Sequence, residues 1–309
     1  MSDQANAGEA IVGINWGSSN FRAFHIDANG KAIDSIEQPS GIASLTREQM
    51  VALVAEVASR WPGAGRMYAC GMVGSNIGWS DAGYVMCPVA PDGLAGALHD
   101  VRIGDVAVRI VPGLACKRSA DAAPDIMRGE ETELFGLLAS NRLPSDGVVA
   151  LPGTHTKWVR MEGGRVAEFM TAMSGEIFDR LTAAGLLASI VDGPAAAGDV
   201  FRDGVRNGYG GALGLGTLLF GARAKVIRGE LARADGASYL RGLLIGAEIA
   251  DARALFPEAA HATIPLVGSG PVCALYAQAL SIVGLEGQGV DARGASVDGF
   301  HALHSKARA

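Results

Sequence analysis

Residues 14–24, INWGSSNFRAF, and residues 151–159, LPGTHTKWV, share one local plan: a strand, a turn of small and hydroxyl residues, and a returning strand. In the first, Ile11–Trp16 reads as a strand, Gly17, Ser18, Ser19 and Asn20 form the tip, and Phe21–Ile26 carries the chain back to a second turn at Asn29-Gly30. In the second, Gly153, Thr154, His155 and Thr156 form the tip and residues 157–161 return. Gly163-Gly164 then turns the chain into a third strand, Arg165–Ala172. A three-stranded meander is therefore expected twice.

Small residues at a hairpin tip let backbone N–H groups approach a ligand, and Ser and Thr hydroxyls add donors, so such concavities suit oxyanions. One such tip is usually an ordinary hairpin. Two in matching positions point to a duplicated α/β fold that grips a polyphosphate between two lobes.

The chain has 309 residues, more than a single core usually holds, so two domains are expected. Hydrophobic residues make up 49% and charged residues 19%, which excludes disordered and fibrous classes. A net charge of −6 without a basic run argues against a nucleic-acid surface. Four cysteines, Cys70, Cys87, Cys116 and Cys273, lack CxxC spacing and fit reduced structural thiols of a cytoplasmic protein. The opening MSDQANAGEA has neither a basic run nor an apolar core, so it reads as a solvated lead-in and not a signal peptide. The longest apolar stretch, residues 210–222, is glycine-rich and shorter than the roughly 20 residues of a membrane span, so a soluble protein is expected.

Along the chain, residues 45–59 have helical periodicity behind a capping box of Thr46 and Gln49. A strand over 66–70 runs into the glycine-rich turn GMVGSNIGW, a strand-to-loop exit of the kind where α/β proteins place ligands. Another strand is expected over 106–111. The polar, alanine-rich segment 119–124 suggests a boundary between domains 1–123 and 124–309. MRGEETELFG then opens a helix after Gly129, with its acids favoured by the helix dipole. Further helices are expected over 175–191, with Ser174 as cap, 211–228 and 238–255. A strand over 263–267 should lead through Gly268, Ser269 and Gly270 into a helix from Pro271 to about residue 283, and a short helix over 299–306 should close the chain.

Two oxyanion turns and a late glycine turn supply most of what phosphoryl transfer needs, since positioning and charge neutralisation dominate it. The missing parts are an acid for Mg²⁺ and a carboxylate base, for which Glu130 and Glu131 are the candidates. Either could instead simply complement a helix dipole. His155 could donate to a phosphate and Lys157 add charge; Arg22 could serve phosphates or pair with an acid across the sheet. Among the six histidines no zinc-type pair occurs, and neither a GxSxG elbow nor a lysine-bearing Walker loop is present.

Read in order, INWGSSNFRA, GMVGSNIGW, MRGEETELFG, LPGTHTKWV, RGLLIGAEI and LVGSGP resemble the 2-dehydro-3-deoxygalactonokinases, over residues 11–279. The resemblance implies the superfamily of sugar kinases, heat-shock ATPases and actin, with two ribonuclease-H-like domains closing on Mg-ATP. It implies a first phosphate loop of Gly17, Ser18, Ser19 and Asn20, a second of Gly153, Thr154 and His155, and an adenosine contact at Gly268, Ser269 and Gly270. The general base falls on Glu130 or Glu131, with Glu130 preferred because it directly follows the glycine. The acceptor would lie near Gly74, Ser75, Asn76 and Arg128, the arginine suiting its carboxylate. The similar proteins usually read DWGS at the first loop, where the acid holds Mg²⁺ through water; here Asn15 provides an amide, which orients a metal-bound water without adding charge.

The implied activity is ATP-dependent phosphorylation of 2-dehydro-3-deoxy-D-galactonate to its 6-phosphate in galactonate catabolism. Alternatives are another sugar or 2-keto-sugar acid as acceptor, or a non-catalytic sugar-acid sensor created by Asn15. The expected partner is a small sugar acid, with no nucleic acid and no membrane, and with a homo-oligomer left open.

Overall fold

The computed structural model describes residues 9–211 and 213–307; most of the expected solvated lead-in lies outside the described residues. Both meanders form. The first comprises β1 (Ile11–Trp16), β2 (Phe21–Ile26) and β3 (Ala32–Gln38), paired antiparallel in sequence. Next come α1 (Arg47–Arg60) and β4 (Arg66–Gly71), which lies parallel to β1. The lobe continues through β5 (Tyr84–Met86), α2 (Pro91–Ala95), β6 (His99–Ile103), β7 (Val106–Ile110), β8 (Gly113–Lys117) and β9 (Pro124–Met127), and α3 (Glu130–Ala139) leads out of it.

The second meander comprises β10 (Gly147–Leu151), β11 (Thr156–Glu162) and β12 (Arg165–Ala172). Four helices follow: α4 (Ser174–Ala183), α5 (Asp199–Tyr209), α6 (Leu215–Ile227) and α7 (Gly236–Leu255). The chain ends with β13 (Ile264–Val267), α8 (Gly270–Ile282), β14 (Gly287–Val290) and α9 (Ala295–Ala307). The main sheets run β3-β2-β1-β4-β7-β6 and β12-β11-β10-β13-β14, so each places a parallel strand beside the first strand of its meander. That shared order is the duplicated α/β architecture the two turns predicted.

The central strands are apolar throughout because both faces are covered; in β1 only Asn15 is less than fully buried. On α1, Met50, Leu53, Val54 and Val57 form the inward stripe, and the Thr46/Gln49 capping box is complete, contributing about 1 kcal/mol. Between the sheets α3 and α9 pack together, with Leu134, Phe135, Phe300 and Leu303 in the core they share with β1, β4 and β10. The last helix thus returns to the first sheet, where the Phe300 ring fills the space a side chain at Gly13 would need. The Tyr68 hydroxyl and His304 Nδ1 are hydrogen bonded at 2.8 Å.

Several boundaries differ from expectation. The helix expected over 175–191 stops at Ala183, where the chain turns extended and then passes through Gly185 in the left-handed region. Ser174 is the first residue of α4 and not its cap, because its hydroxyl is taken by Glu248. The helix expected from 211 starts at Leu215, since Gly211 has positive φ and Gly214 is extended. Helix α5 falls in a stretch for which no element was expected; its Gly204 and Gly208 are where the α7 backbone passes too closely for a Cβ. The closing helix is longer than expected, and β14 and the small sheet β5-β8-β9 carried no sequence signal strong enough to be read. Among the described residues no helix is long and apolar enough to cross a membrane.

Candidate active site

Each turn follows the first strand of its meander, β1 or β10, a central strand of its sheet. Gly17 donates its N–H to the Asn20 carbonyl at 2.9 Å, closing the first tip, while Ile42 and Ala43 donate to the Gly17 and Ser18 carbonyls and hold it from behind. Ser18, Ser19 and Asn20 stay exposed, and with Asn15, Gly17 and Arg22 they line a cavity of about 210 Å³. Arg22 pairs with Glu37 across β2 and β3 at 2.7 Å, the cross-sheet alternative of its two readings.

The second tip leaves Thr154 and His155 exposed, and α4 is docked directly beneath it. A Cβ at Gly175 would come within 2.4 Å of the Gly153 carbonyl, so only glycine fits there. Thr156 ties the tip to the core through the Tyr276 hydroxyl at 2.8 Å. Tyr276 and Trp158 both donate to Glu248, as does Ser174. Burial pushes the Glu248 carboxyl up to about 7, against these three donors. The exposed turn Gly268, Ser269 and Gly270 adjoins this loop, because β13 runs parallel to β10 and Gly268 packs on the Pro152 carbonyl.

A larger cavity of about 510 Å³ opens between the two halves, lined by Ser75, Asn76, Tyr84, Arg128, Glu130, His155 and Lys157 among others. Next to its lining residues Met72, Arg128 and Glu130 stand Gly71 and Gly129. Both have positive φ, and they touch, so the end of β4 and the start of α3 meet with no side chain between them. Gly74 does not line the cavity; it lies behind it, its Cα side filled by Ile110 and the Arg128 guanidinium. The Ser75 hydroxyl is spent on the Met72 carbonyl, while Asn76 is exposed.

Arg128 is only 5% exposed. Its Nη2 donates to the Gly83 carbonyl and its guanidinium stacks on the Tyr84 ring at 4.4 Å, yet Nε and Nη1 are buried without partners. Asp81 supplies a counter-charge 3.8 Å from the same Nη2, and the two orphaned donors leave the guanidinium with capacity for a further acceptor. Glu130 follows two residues on. Its Oε2 accepts the Arg128 N–H at 3.1 Å and its Oε1 lies 3.4 Å from Lys157 Nζ, so an acid of α3 meets a base of β11 across the cleft. His155 Nε2 contacts Glu176 at 2.6 Å, and this hydrogen bond holds the Glu176 carboxyl below its usual range.

Glu131 turns the other way. It is fully buried, accepts the Gly129 N–H, and burial pushes its carboxyl up to about 8. The folded state therefore keeps a proton that the unfolded chain gives up near pH 4.3, so stability should fall as pH rises from there to about 8 and level off above it. Denaturant titrations at pH 5, 7 and 9 should show this slope in the native chain and a shallower one in Glu131→Gln, the remainder coming from the raised Glu248 and Glu133 carboxyls; an equal slope in both would refute the assignment.

Sequence reading did not single out Tyr84, Asp125, Ile126, Met173 or Glu176 as cavity residues, nor Glu133 and Ser296 beneath the first loop. Glu133 carried one usable signal, standing one turn along α3 from Glu130 on the same helix edge. Burial pushes its carboxyl up as well.

Two meanders with matching sheet order, each turning through a small-residue loop after its first strand, define the fold of the sugar kinases and actin-like ATPases. The sequence profile of 2-keto-3-deoxy-galactonokinase matches residues 15–303, and the chain belongs to that family. It is 33% identical over 276 residues to the 2-dehydro-3-deoxygalactonokinase of Escherichia coli (strain K12), covering 89% of this chain and 90% of that one. It is 35% identical over 286 residues to a Rhizobium meliloti (strain 1021) protein named "Probable 2-dehydro-3-deoxygalactonokinase DgoK1", covering 90% and 91%. A crystal structure of a Sinorhizobium meliloti protein, provisionally assigned the same activity, superposes with a TM-score of 0.83 at 33% identity, covering 96% of this chain and 98% of that one.

Proposed function

We propose that this protein is an ATP-dependent kinase that phosphorylates 2-dehydro-3-deoxy-D-galactonate on its terminal hydroxyl, giving the 6-phosphate. Family membership supports the reaction. The observation that carries the acceptor assignment is Arg128, which keeps two donors unpartnered and lines a cavity that also holds Glu130. In this reading Arg128 binds the acceptor carboxylate, Ser75 and Asn76 line its wall, and Gly74 gives the guanidinium its room. Glu130 takes the proton of the attacking hydroxyl as that oxygen bonds to the γ-phosphorus and ADP leaves. Gly17 to Asn20 and Gly153 to His155 cradle the phosphates with backbone N–H groups and hydroxyls, Lys157 adds positive charge beside them, and Gly268 to Gly270 receive the adenosine.

Mg²⁺ would neutralise phosphate charge during transfer. The groups at the first loop fit such a hard cation, since Asn15 and Glu133 offer only oxygen ligands or orient water. The lobe boundary, expected at 123/124, is placed after β9, because Pro124–Met127 pairs with β8 of the first lobe; the enzyme is taken as cytoplasmic and its partner as a small sugar acid. Closure of the cleft would exclude water from the transferring group.

ADP release with Mg-ATP and a panel of 2-keto-3-deoxy sugar acids and hexoses tests the reading. Preferential turnover of the galactonate derivative is expected; turnover confined to hexoses would refute the role given to Arg128. Gly175→Ala should raise KM for ATP more than KM for the acceptor, because the new methyl group displaces the Gly153 carbonyl beneath the second loop. Equal ATP KM values in the two proteins would separate that loop from nucleotide binding.

A further inference from the structure

The floor of the first loop is built from three distant parts of the chain. Asn15 on β1 donates its Nδ2 to Ser296 Oγ at 3.1 Å and to Glu133 Oε1 at 3.4 Å, and Ser296 Oγ donates to the same Glu133 oxygen at 3.0 Å. A carboxylate only accepts, so the amide NH₂ faces Glu133 and leaves Oδ1 as the acceptor turned from it, while Asn15 lines the 210 Å³ cavity of Gly17 to Asn20. The two direct partners of Glu133 are neutral donors, and Arg22, which acts on it at longer range, is already paired to Glu37. A part-buried carboxylate whose direct partners are neutral favours a positive charge nearby, and this one stands immediately behind the loop that would take phosphates. Glu130 and Glu133 stand three residues apart on α3, one at the larger cavity and the other under the first loop, so one helix edge lends a carboxylate to each.

We propose that Glu133 is a positioning residue: acting through the Asn15 amide, it supplies the negative charge at the first loop that orients water on the divalent cation accompanying the nucleotide. This rests on the kinase reading. Ser296 completes the arrangement, which gives the last helix of the chain a part in the site.

The test is binding of Mn²⁺ with the β,γ-imido analogue of ATP, followed by electron paramagnetic resonance, with circular dichroism melting as a check on folding. Glu133→Gln should weaken Mn²⁺ binding about 10- to 100-fold, the usual effect of losing a group that orients a metal's ligands. Asn15→Asp alone should not tighten it, because two carboxylates in contact share a proton and do not both ionise. Asn15→Asp combined with Glu133→Gln exchanges amide and acid and should recover most of the native affinity, a rescue that a merely structural role would not give. Should Glu133→Gln not fold, Asn15→Ala removes the relay and should weaken binding by a similar factor. Native-like affinity in Glu133→Gln or Asn15→Ala, or a folded double variant as weak as Glu133→Gln, would overturn the proposal while leaving the kinase reading in place. Failure of the native protein to bind the manganese-nucleotide pair would overturn both.

Discussion

Glu130→Gln is expected to lower kcat by about 10² to 10⁴ with nucleotide affinity unchanged, the loss typical when a general base is removed. The expectation follows from how the carboxylate is held. One oxygen accepts the Arg128 backbone N–H and the other faces Lys157, so the group lines the cavity between the lobes in a fixed orientation and stays partly open to it, at 29% exposure. Glutamine keeps the shape and the backbone contact but cannot take a proton. Because nucleotide would be gripped by the two loops and not by Glu130, isothermal titration with an ATP analogue should not distinguish the variant from the native protein. A kcat within a few-fold of native would move the base elsewhere. Glu131 would then be a poor substitute, since its carboxyl is buried against the Gly129 N–H and absent from the cavity wall.

Arg128→Ala should cost the acceptor about 2–5 kcal/mol of binding, roughly 30-fold or more in kcat/KM, because it truncates one side of a desolvated charge pair. The effect should appear in KM for the sugar acid and leave KM for ATP unaltered. Arg128→Lys is expected to recover only part of it: lysine keeps the charge but neither stacks on Tyr84 in the same way nor presents a planar set of donors to both the Gly83 carbonyl and a carboxylate. An acceptor without a carboxylate should lose as much on the native enzyme as the sugar acid loses on Arg128→Ala. If Arg128→Ala instead raised KM for ATP, the arginine would belong to the phosphate site.

The fold was legible because its repeated part is local. Ile11 to Ile26 and Leu151 to Ala172 declare strands and tight turns within short stretches, and two copies of one pattern fix the sheet order that follows. Glu130 and Lys157 stand within motifs, whereas the place of Arg128 comes from the expected cleft. What was not legible depends on contacts between segments far apart. Ser174 reads as a helix cap until Glu248, 74 residues on, takes its hydroxyl. The glycines of helix α5 have no reading until α7 is seen lying against them. Tyr84 and Ile126 reach the cavity only because β5, β8 and β9 form a small sheet of their own. Glu133 and Ser296, separated by 163 residues, carry meaning only when α9 folds back beside α3.

The most direct test of the account is the position of the phosphoryl group after Mg-ATP and 2-dehydro-3-deoxy-D-galactonate are incubated with the native protein, read by ³¹P–¹H coupling in the product. With Arg128 fixing the carboxylate and Glu130 receiving the distant hydroxyl, the phosphorus should couple to the two protons of the terminal carbon. Phosphorylation at an interior hydroxyl, or consumption of ATP with no phosphorylated sugar acid, would contradict it.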